Sequence, residues 1–210
     1  MSEQGTPEWF QSRVGKVTAS RVSDLMAKTK SGYAASRENY MAQLIVELVS
    51  GEKAESFTSP AMQWGTETEP LARAAYEVKE DVLVDEVGFI LHPTIEGAGA
   101  SPDGQVGDDG LIEIKCPNTA TALEAWLKVA EGKNPVPAKY NAQMQMQMAC
   151  TGRQWCDYVV FDPRMPHKAQ LLIYRVERDE AFIQEMEAEI TKFIEEMSEK
   201  VLKLNNLFKE

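Results

Sequence analysis

Apolar residues recur at helical spacing along much of the chain. Between residues 19 and 27, Val22, Leu25 and Met26 share one face, with Thr18 as an N-cap. Beyond Ser36, a second candidate cap, Tyr40, Met41, Leu44, Ile45, Leu48 and Val49 recur at spacings of three and four as far as Gly51, placed where a helix-ending glycine belongs. A third pattern covers about 66–79, with Thr66 as cap, Pro70 in the first turn and Leu71, Ala72, Ala75 and Tyr76 turned inward. The middle of the chain then changes character. Residues 82–92 read as strand with a turn, and 97–116 as short strands broken by glycines. Helical spacing returns at about 119–131, around Leu123, Trp126, Leu127 and Val129. The run from Gln143 to Met148 alternates with period two, as a strand would, but it consists of strong helix formers and ends on Thr151-Gly152. A helix is predicted over 138–150. Two strands, 154–162 and 169–177, flank Asp162-Pro163-Arg164, and an amphipathic helix runs from Asp179 to about Leu207. The order predicts an α/β (α+β) fold in one domain spanning residues 1–210, with the apolar stripe of the last helix packed on the sheet.

Composition narrows the function classes. Over 210 residues, 43% hydrophobic and 26% charged content is that of a globular protein, which excludes disordered and collagen-like readings. No apolar run approaches membrane-spanning length, and the polar N-terminus does not resemble a secretory signal. Cys116, Cys150 and Cys156 are odd in number and lack CxxC spacing, which predicts free thiols and a cytoplasmic protein. His92 and His167 stand apart from each other, so a His-based zinc site or a Ser-His-Asp triad is not expected, and any metal would be held by carboxylates.

The strongest chemical signal is Ser101-Pro102-Asp103-Gly104, followed by Ile112-Glu113-Ile114-Lys115-Cys116. On a strand, Glu113 and Lys115 point to one side while Ile112, Ile114 and Cys116 point into a core. Asp103, on the partner strand of a hairpin, reaches the same spot. Two carboxylates and a backbone carbonyl are hard oxygen ligands suited to Mg2+, and a lysine beside them can polarise water or neutralise a phosphorane. By spacing alone, the same residues also fit a surface hairpin with a weak ion pair.

The segment resembles the PD-(D/E)XK nuclease signature, as Pro102-Asp103 and Glu113-Ile114-Lys115. The chain further resembles the phage lambda exonuclease family of recombination nucleases. The elements carrying that resemblance are Trp9 to Arg13 leading into Val17-Thr18-Ala19-Ser20; Trp64-Gly65-Thr66-Glu67-Thr68-Glu69; Ser101 to Gly104; Glu113 to Pro117; Tyr140 to Gln145; and Tyr158 to Arg164. They fall in the family's order within residues 9–178.

The resemblance implies a central mixed β-sheet flanked by helices. It also implies a Mg2+-dependent 5′→3′ exonuclease acting on linear double-stranded DNA with 5′-phosphorylated ends, using two ions, with Mn2+ as a substitute. It further implies a homotrimeric ring threaded by DNA, whose 3′ single-stranded tails pass to a single-strand annealing recombinase. By motif position, Asp103, Glu113 and the Ile114 carbonyl would hold metal, Glu69 would stand near it, directly or through water, and Lys115 would be the catalytic lysine. Arg13, Ser20, Ser101 and Gln143 would bind the 5′-phosphate, Tyr140 would line the cleft, and Met62 would occupy the place of an apolar strand-separating wedge. A related endonuclease or repair nuclease of other polarity, or a non-catalytic DNA-end-binding protein, are the competing readings.

A formal charge of −11 opposes DNA binding unless the positive surface is confined. Residues 46–113 hold 3 basic and 15 acidic side chains, and residues 177–210 hold 5 and 10. Residues 1–45 hold 6 and 4, and residues 114–176 hold 8 and 4, so the net-basic blocks carry Arg13, Lys16, Lys115 and Lys139.

Overall fold

The computed structural model describes residues 3–54 and 59–207. The Thr6 hydroxyl caps α1 (Pro7–Ser12) by accepting from the Trp9 N–H at 3.3 Å, and Pro7 sits where a missing N–H is harmless. After β1 (Val17–Thr18), the helix expected over 19–27 appears as a 3-10 turn (Ala19–Arg21) and α2 (Val22–Met26). A hairpin of β2 (Lys28–Thr29) and β3 (Gly32–Tyr33) leads into α3 (Ala35–Ser50). Ala34, not Ser36, is the cap of α3; the Ser36 hydroxyl donates to the Asp24 carbonyl at 3.1 Å instead. Gly51 ends the helix at φ 73°.

Helix α4 (Pro60–Glu80) corrects the reading over 66–79. It begins at Ser59, whose hydroxyl accepts from the Met62 N–H at 3.2 Å, so Thr66 lies inside the helix and Pro70 falls in its middle. Pro70 leaves the Thr66 carbonyl without a helical partner, and both residues are exposed, so water can bond it. Ala72 and Tyr76 are buried as expected, but Leu71 faces outward.

The central elements follow as β4 (Val84–Asp85), β5 (Ile90–Leu91), β6 (Ala98–Ala100), β7 (Gly104–Val106) and β8 (Gly110–Lys115). Two helices come next, α5 (Thr119–Ala130), capped by Asn118, and α6 (Ala138–Thr151), closed by Gly152 at φ 74°. The chain ends with β9 (Trp155–Phe161), β10 (Leu171–Glu177) and α7 (Glu180–Leu207). The mixed central sheet has the order β10-β9-β8-β7-β4, with β8 parallel to β9 and the other neighbours antiparallel. A smaller sheet, β1-β6-β5, places β1 parallel to β6.

Alternation along β8 decides the layers. Ile112 and Ile114 join Ala72, Tyr76, Val159 and Phe161 under α4. Leu111 joins Ala122, Ala125, Met144, Met148, Tyr158 and Val160 under α5 and α6. The opposite face of α6 (Ala142, Met146, Cys150) packs with α2, α3 and α7. The stripe of α7 (Ile183, Met186, Ile190, Phe193, Met197) therefore docks on helices, not on the central sheet as expected, because α6 already covers that sheet face. Among the described residues, no helix is long and apolar enough to cross a membrane.

Candidate active site

The site forms where β7 begins beside β8. A Cβ on Gly104 would lie 2.1 Å from Val84 Cγ1, so only glycine lets the chain pass here directly after Asp103. Gly104 pairs with Ile112, which leaves the backbone of Ile114 beyond the start of β7. The Asp103 carboxylate fills that gap, its Oδ2 accepting the Ile114 N–H at 2.7 Å. The N–H and C=O of a strand residue point to the same side, so the Ile114 carbonyl faces the same gap.

Glu113 projects from the opposite face of β8, toward α6, and is fully buried. Its Oε1 accepts from Gln143 Nε2 at 2.7 Å and from the Lys115 ammonium, and its Oε2 accepts from Gln147 Nε2 at 2.6 Å. Gln143 and Gln147 are four apart on α6, one helical turn, and so reach a single carboxylate. Burial would depress the Lys115 ammonium, but Glu113 and Asp103 outweigh it and hold its pKa above the ordinary lysine value. Burial, reinforced by the charge of Glu113, pushes the Asp103 carboxyl well above the ordinary range.

Glu69 lies in the middle of α4, not near its start, so the helix dipole does not explain it. Arg73, one turn on, donates to Glu69 Oε1 at 2.7 Å and to the Asp103 carbonyl at 3.4 Å, and pairs with Glu86 at 3.0 Å. Burial raises the Glu69 pKa, against the lowering effect of Arg73. Glu69, Ile114, Lys115, Tyr140 and Met62 line a cleft of about 360 Å³. Cys116 lines it too, and burial, with the nearby Glu69 and Asp103, pushes its thiol up to about 12. All three cysteines are buried free thiols. His92 is engaged elsewhere, 3.1 Å from Glu187.

Among the described residues, no three Asp, Glu, His or Cys side chains form a ready-made metal cluster. The donor set that could hold Mg2+ is Asp103, Glu113 and the Ile114 carbonyl, all hard oxygens. Its electrostatics fit a cation: two close carboxylates, one driven toward its neutral form by burial and then by the charge of the other, with the Lys115 ammonium resting on Glu113 as counter-charge. A divalent ion would take over that role and release Lys115.

The four residues expected at a 5′-phosphate come together. Arg13, Ser20, Ser101 and Gln143 line one cavity of about 110 Å³, with Gln4, Trp9, Thr18 and Ala19. Parallel pairing of β1 and β6 explains the two serines, since each follows the end of one of these adjacent strands. The Trp9 indole N–H donates to Ser101 Oγ at 3.0 Å, and the Arg13 guanidinium lies 4.0 Å from the Trp9 ring centre. Burial lowers the Arg13 pKa, and among the described residues its guanidinium has no carboxylate at ion-pair distance. A desolvated, unpaired arginine beside two hydroxyls is suited to a phosphate.

A neighbouring groove of about 270 Å³ is lined, among the described residues, by the basic side chains Arg13, Lys16, Arg21 and Lys53 and by one acid, Glu47. Met62, 57% exposed in the first turn of α4, lines both this groove and the cleft of Glu69 and Lys115. Tyr140 lies 5.8 Å from Tyr158, ring centre to ring centre, with the Lys115 ammonium 5.0 Å from its own.

Three residues of the site carry little signal in the sequence. Gln147 has the i+4 spacing from Gln143 as its one signal, and Arg73 has the same spacing from Glu69. Trp9 belongs to a motif, but its indole contact with Ser101 spans 92 residues, which no local pattern encodes.

Comparison with solved structures finds an alkaline exonuclease (LHK-Exo) from Laribacter hongkongensis, 51% identical over 97% of this chain and 98% of that one, with a TM-score of 0.88. The same protein in complex with dAMP matches equally. A phage-related exonuclease from Haemophilus somnus 129PT is 14% identical over 90% of this chain and 96% of that one, at a TM-score of 0.71, and shares the fold. Comparison with curated proteins finds no match. The pattern of the YqaJ-like viral recombinase domain matches residues 8–154, and the chain belongs to that family.

Proposed function

We propose that this protein is a Mg2+-dependent exonuclease that degrades the 5′-ended strand of linear double-stranded DNA in the 5′→3′ direction. In this reading it acts in the cytoplasm as a homotrimeric ring on 5′-phosphorylated ends, and leaves 3′ single-stranded tails for an annealing recombinase. The observation that carries the reading is Gln143, which lines the anion cavity and bonds the central carboxylate Glu113, so one side chain spans end recognition and chemistry. A relative at 51% identity is an alkaline exonuclease that binds dAMP, a compound of the product class expected here.

Arg13, Ser20 and Ser101 would hold the terminal phosphate and so set the next phosphodiester over the carboxylates. Asp103, Glu113 and the Ile114 carbonyl, accompanied by Glu69, would hold Mg2+, which would supply Lewis acidity at the scissile phosphate and lower the pKa of water; a second ion and substitution by Mn2+ belong to the same reading. Lys115, displaced from Glu113, neutralises charge on the phosphorane. Water attacks phosphorus, the bond to the 3′-oxygen of the terminal nucleotide breaks, and that oxygen takes a proton. The product is a 5′-mononucleotide, and the shortened strand carries a new 5′-phosphate, the group that the cavity holds. Met62, which lines both the groove and the cleft, would part the terminal base pair, and Tyr140 would pack against the strand being cut.

End recognition tests this reading. Arg13→Ala is expected to reduce initiation on 5′-phosphorylated duplex by about tenfold to a hundredfold, the size of a lost charge-assisted contact of roughly 1.5–3 kcal/mol. Its rate on 5′-hydroxyl duplex should change little. Equal loss on both ends, measured by initial rates, would remove the phosphate from the cavity.

A further inference from the structure

Glu113 Oε1 is saturated. A carboxylate oxygen has two lone-pair directions, and here one is taken by Gln143 Nε2 at 2.7 Å and the other by the Lys115 ammonium. Oε2 holds the Gln147 amide at 2.6 Å. The two glutamines differ in their surroundings. Gln147 is wholly buried, its Oε1 facing the Cys156 thiol at 3.9 Å, and has no access to a ligand. Gln143 is half-buried and lines the cavity of Arg13, Ser20 and Ser101. Its carboxamide is therefore the one donor on Glu113 that a ligand in that cavity can also attract.

We infer that Gln143 makes metal binding at Glu113 depend on occupancy of the anion cavity, and so acts as the specificity-determining residue that converts a terminal phosphate into a competent metal site. This inference rests on the proposed 5′-phosphate reading of the cavity. A phosphomonoester beside Arg13 offers the Gln143 amide a more highly charged acceptor than Glu113. Drawing the amide toward it frees the second lone pair of Oε1, beside the one that Lys115 would yield, so that the metal meets no competing donor on that oxygen. Linkage makes the effect reciprocal: metal on Glu113 releases Gln143 to the cavity and tightens the hold on the phosphate. An end lacking the phosphate leaves Gln143 on Glu113 and the metal site weak. Selection of ends thus operates through metal affinity as well as through DNA affinity, with Gln143 as a positioning residue acting through Glu113.

The test is Mn2+ affinity, counted by the electron paramagnetic resonance of free Mn2+. The full-length protein is saturated with a duplex whose terminal linkages are phosphorothioate to keep it uncut. With a 5′-phosphate on the duplex, wild type is expected to bind Mn2+ about tenfold more tightly than with a 5′-hydroxyl, within the usual range of coupling between sites. Gln143→Ala should bring that ratio close to one, whereas Ser101→Ala, which weakens the cavity without touching Glu113, should keep it once DNA is saturating. The Ser101 variant also separates coupling through the glutamine from damage to the cavity. An equal Mn2+ affinity for both ends in wild type, or an undiminished ratio in Gln143→Ala, overturns the coupling. If DNA affinity responds to the 5′-phosphate but Mn2+ affinity does not, the coupling alone fails. If neither responds, the phosphate reading of the cavity fails with it.

Discussion

Lys115→Met is expected to lower the rate of nucleotide release by roughly 10²–10³-fold, the scale of losing one preorganised charge at a developing oxyanion, while DNA binding persists. The stem of methionine fills the place of the lysine stem, so the strand should keep its packing. The second half of the expectation separates a catalytic from a structural lysine. In the absence of metal, the Lys115 ammonium occupies Glu113 Oε1 as counter-charge. Removing it removes a competitor, so Mg2+ or Mn2+ should bind the variant at least as tightly as wild type. A lysine whose only work was to brace Glu113 would show the opposite, with activity regained at high Mg2+. Single-turnover rates across a Mg2+ titration distinguish the two.

Asp103→Asn should abolish turnover yet raise the melting temperature of the metal-free protein. Burial and the charge of Glu113 hold the Asp103 carboxyl well above its ordinary pKa. The sign follows from linkage: a carboxyl raised in the folded state contributes stability below its unfolded pKa and loses it as pH rises through the folded value. Above its unfolded pKa the group therefore burdens the fold, increasingly so as pH rises toward the folded value. Asparagine keeps an oxygen for the Ile114 N–H and drops the charge. Metal should reverse the ranking, because Mg2+ stabilises wild type by binding the native state and has lost one of its ligands in the variant. Thermal melts with Mg2+ and with chelator, side by side, measure both effects. A variant less stable than wild type in chelator would show that Asp103 serves the fold.

How far the site could be read from sequence depends on whether its parts are local. The Asp103, Glu113 and Lys115 set was legible because a β-hairpin turns sequence spacing directly into geometry, and alternation on β8 separates Glu113 from Ile112 and Ile114. Helix α6 gave a mixed signal for a physical reason. It is buried on nearly all sides between two cores, with Met144 and Met148 in one and Met146 in the other, so it lacks the polar face that makes a helix pattern obvious. Its glutamines are hydrogen-bonding parts in place of a solvent face: Gln143 and Gln147 hold Glu113, and Gln145 bonds the Glu177 carbonyl and the Asp179 N–H.

Other features depend on contacts that sequence spacing does not encode. Pro70 is tolerated within α4 because its lost bond faces water, and that orientation is set by the packing of Ala72 and Tyr76 on the sheet. The very short strands β1 and β6 hold two and three residues, too few for a period, yet their pairing sets Ser20 and Ser101 side by side. The fold class followed from element order, and the mixed sheet was what the family resemblance implied. The seat of α7 did not, because an amphipathic stripe states that a face is buried without stating against what.

The central claim is that these residues cut DNA from a 5′ end with metal. The most direct test uses linear duplex labelled at the 5′ terminus of one strand and, separately, at the 3′ terminus, together with closed circular duplex, in Mg2+ and in chelator. The account predicts prompt release of the 5′ label as a mononucleotide, a 3′-labelled strand that remains long at early times, an intact circle and no reaction in chelator. Early release of the 3′ label, nicking of the circle or undiminished cleavage in chelator would contradict it.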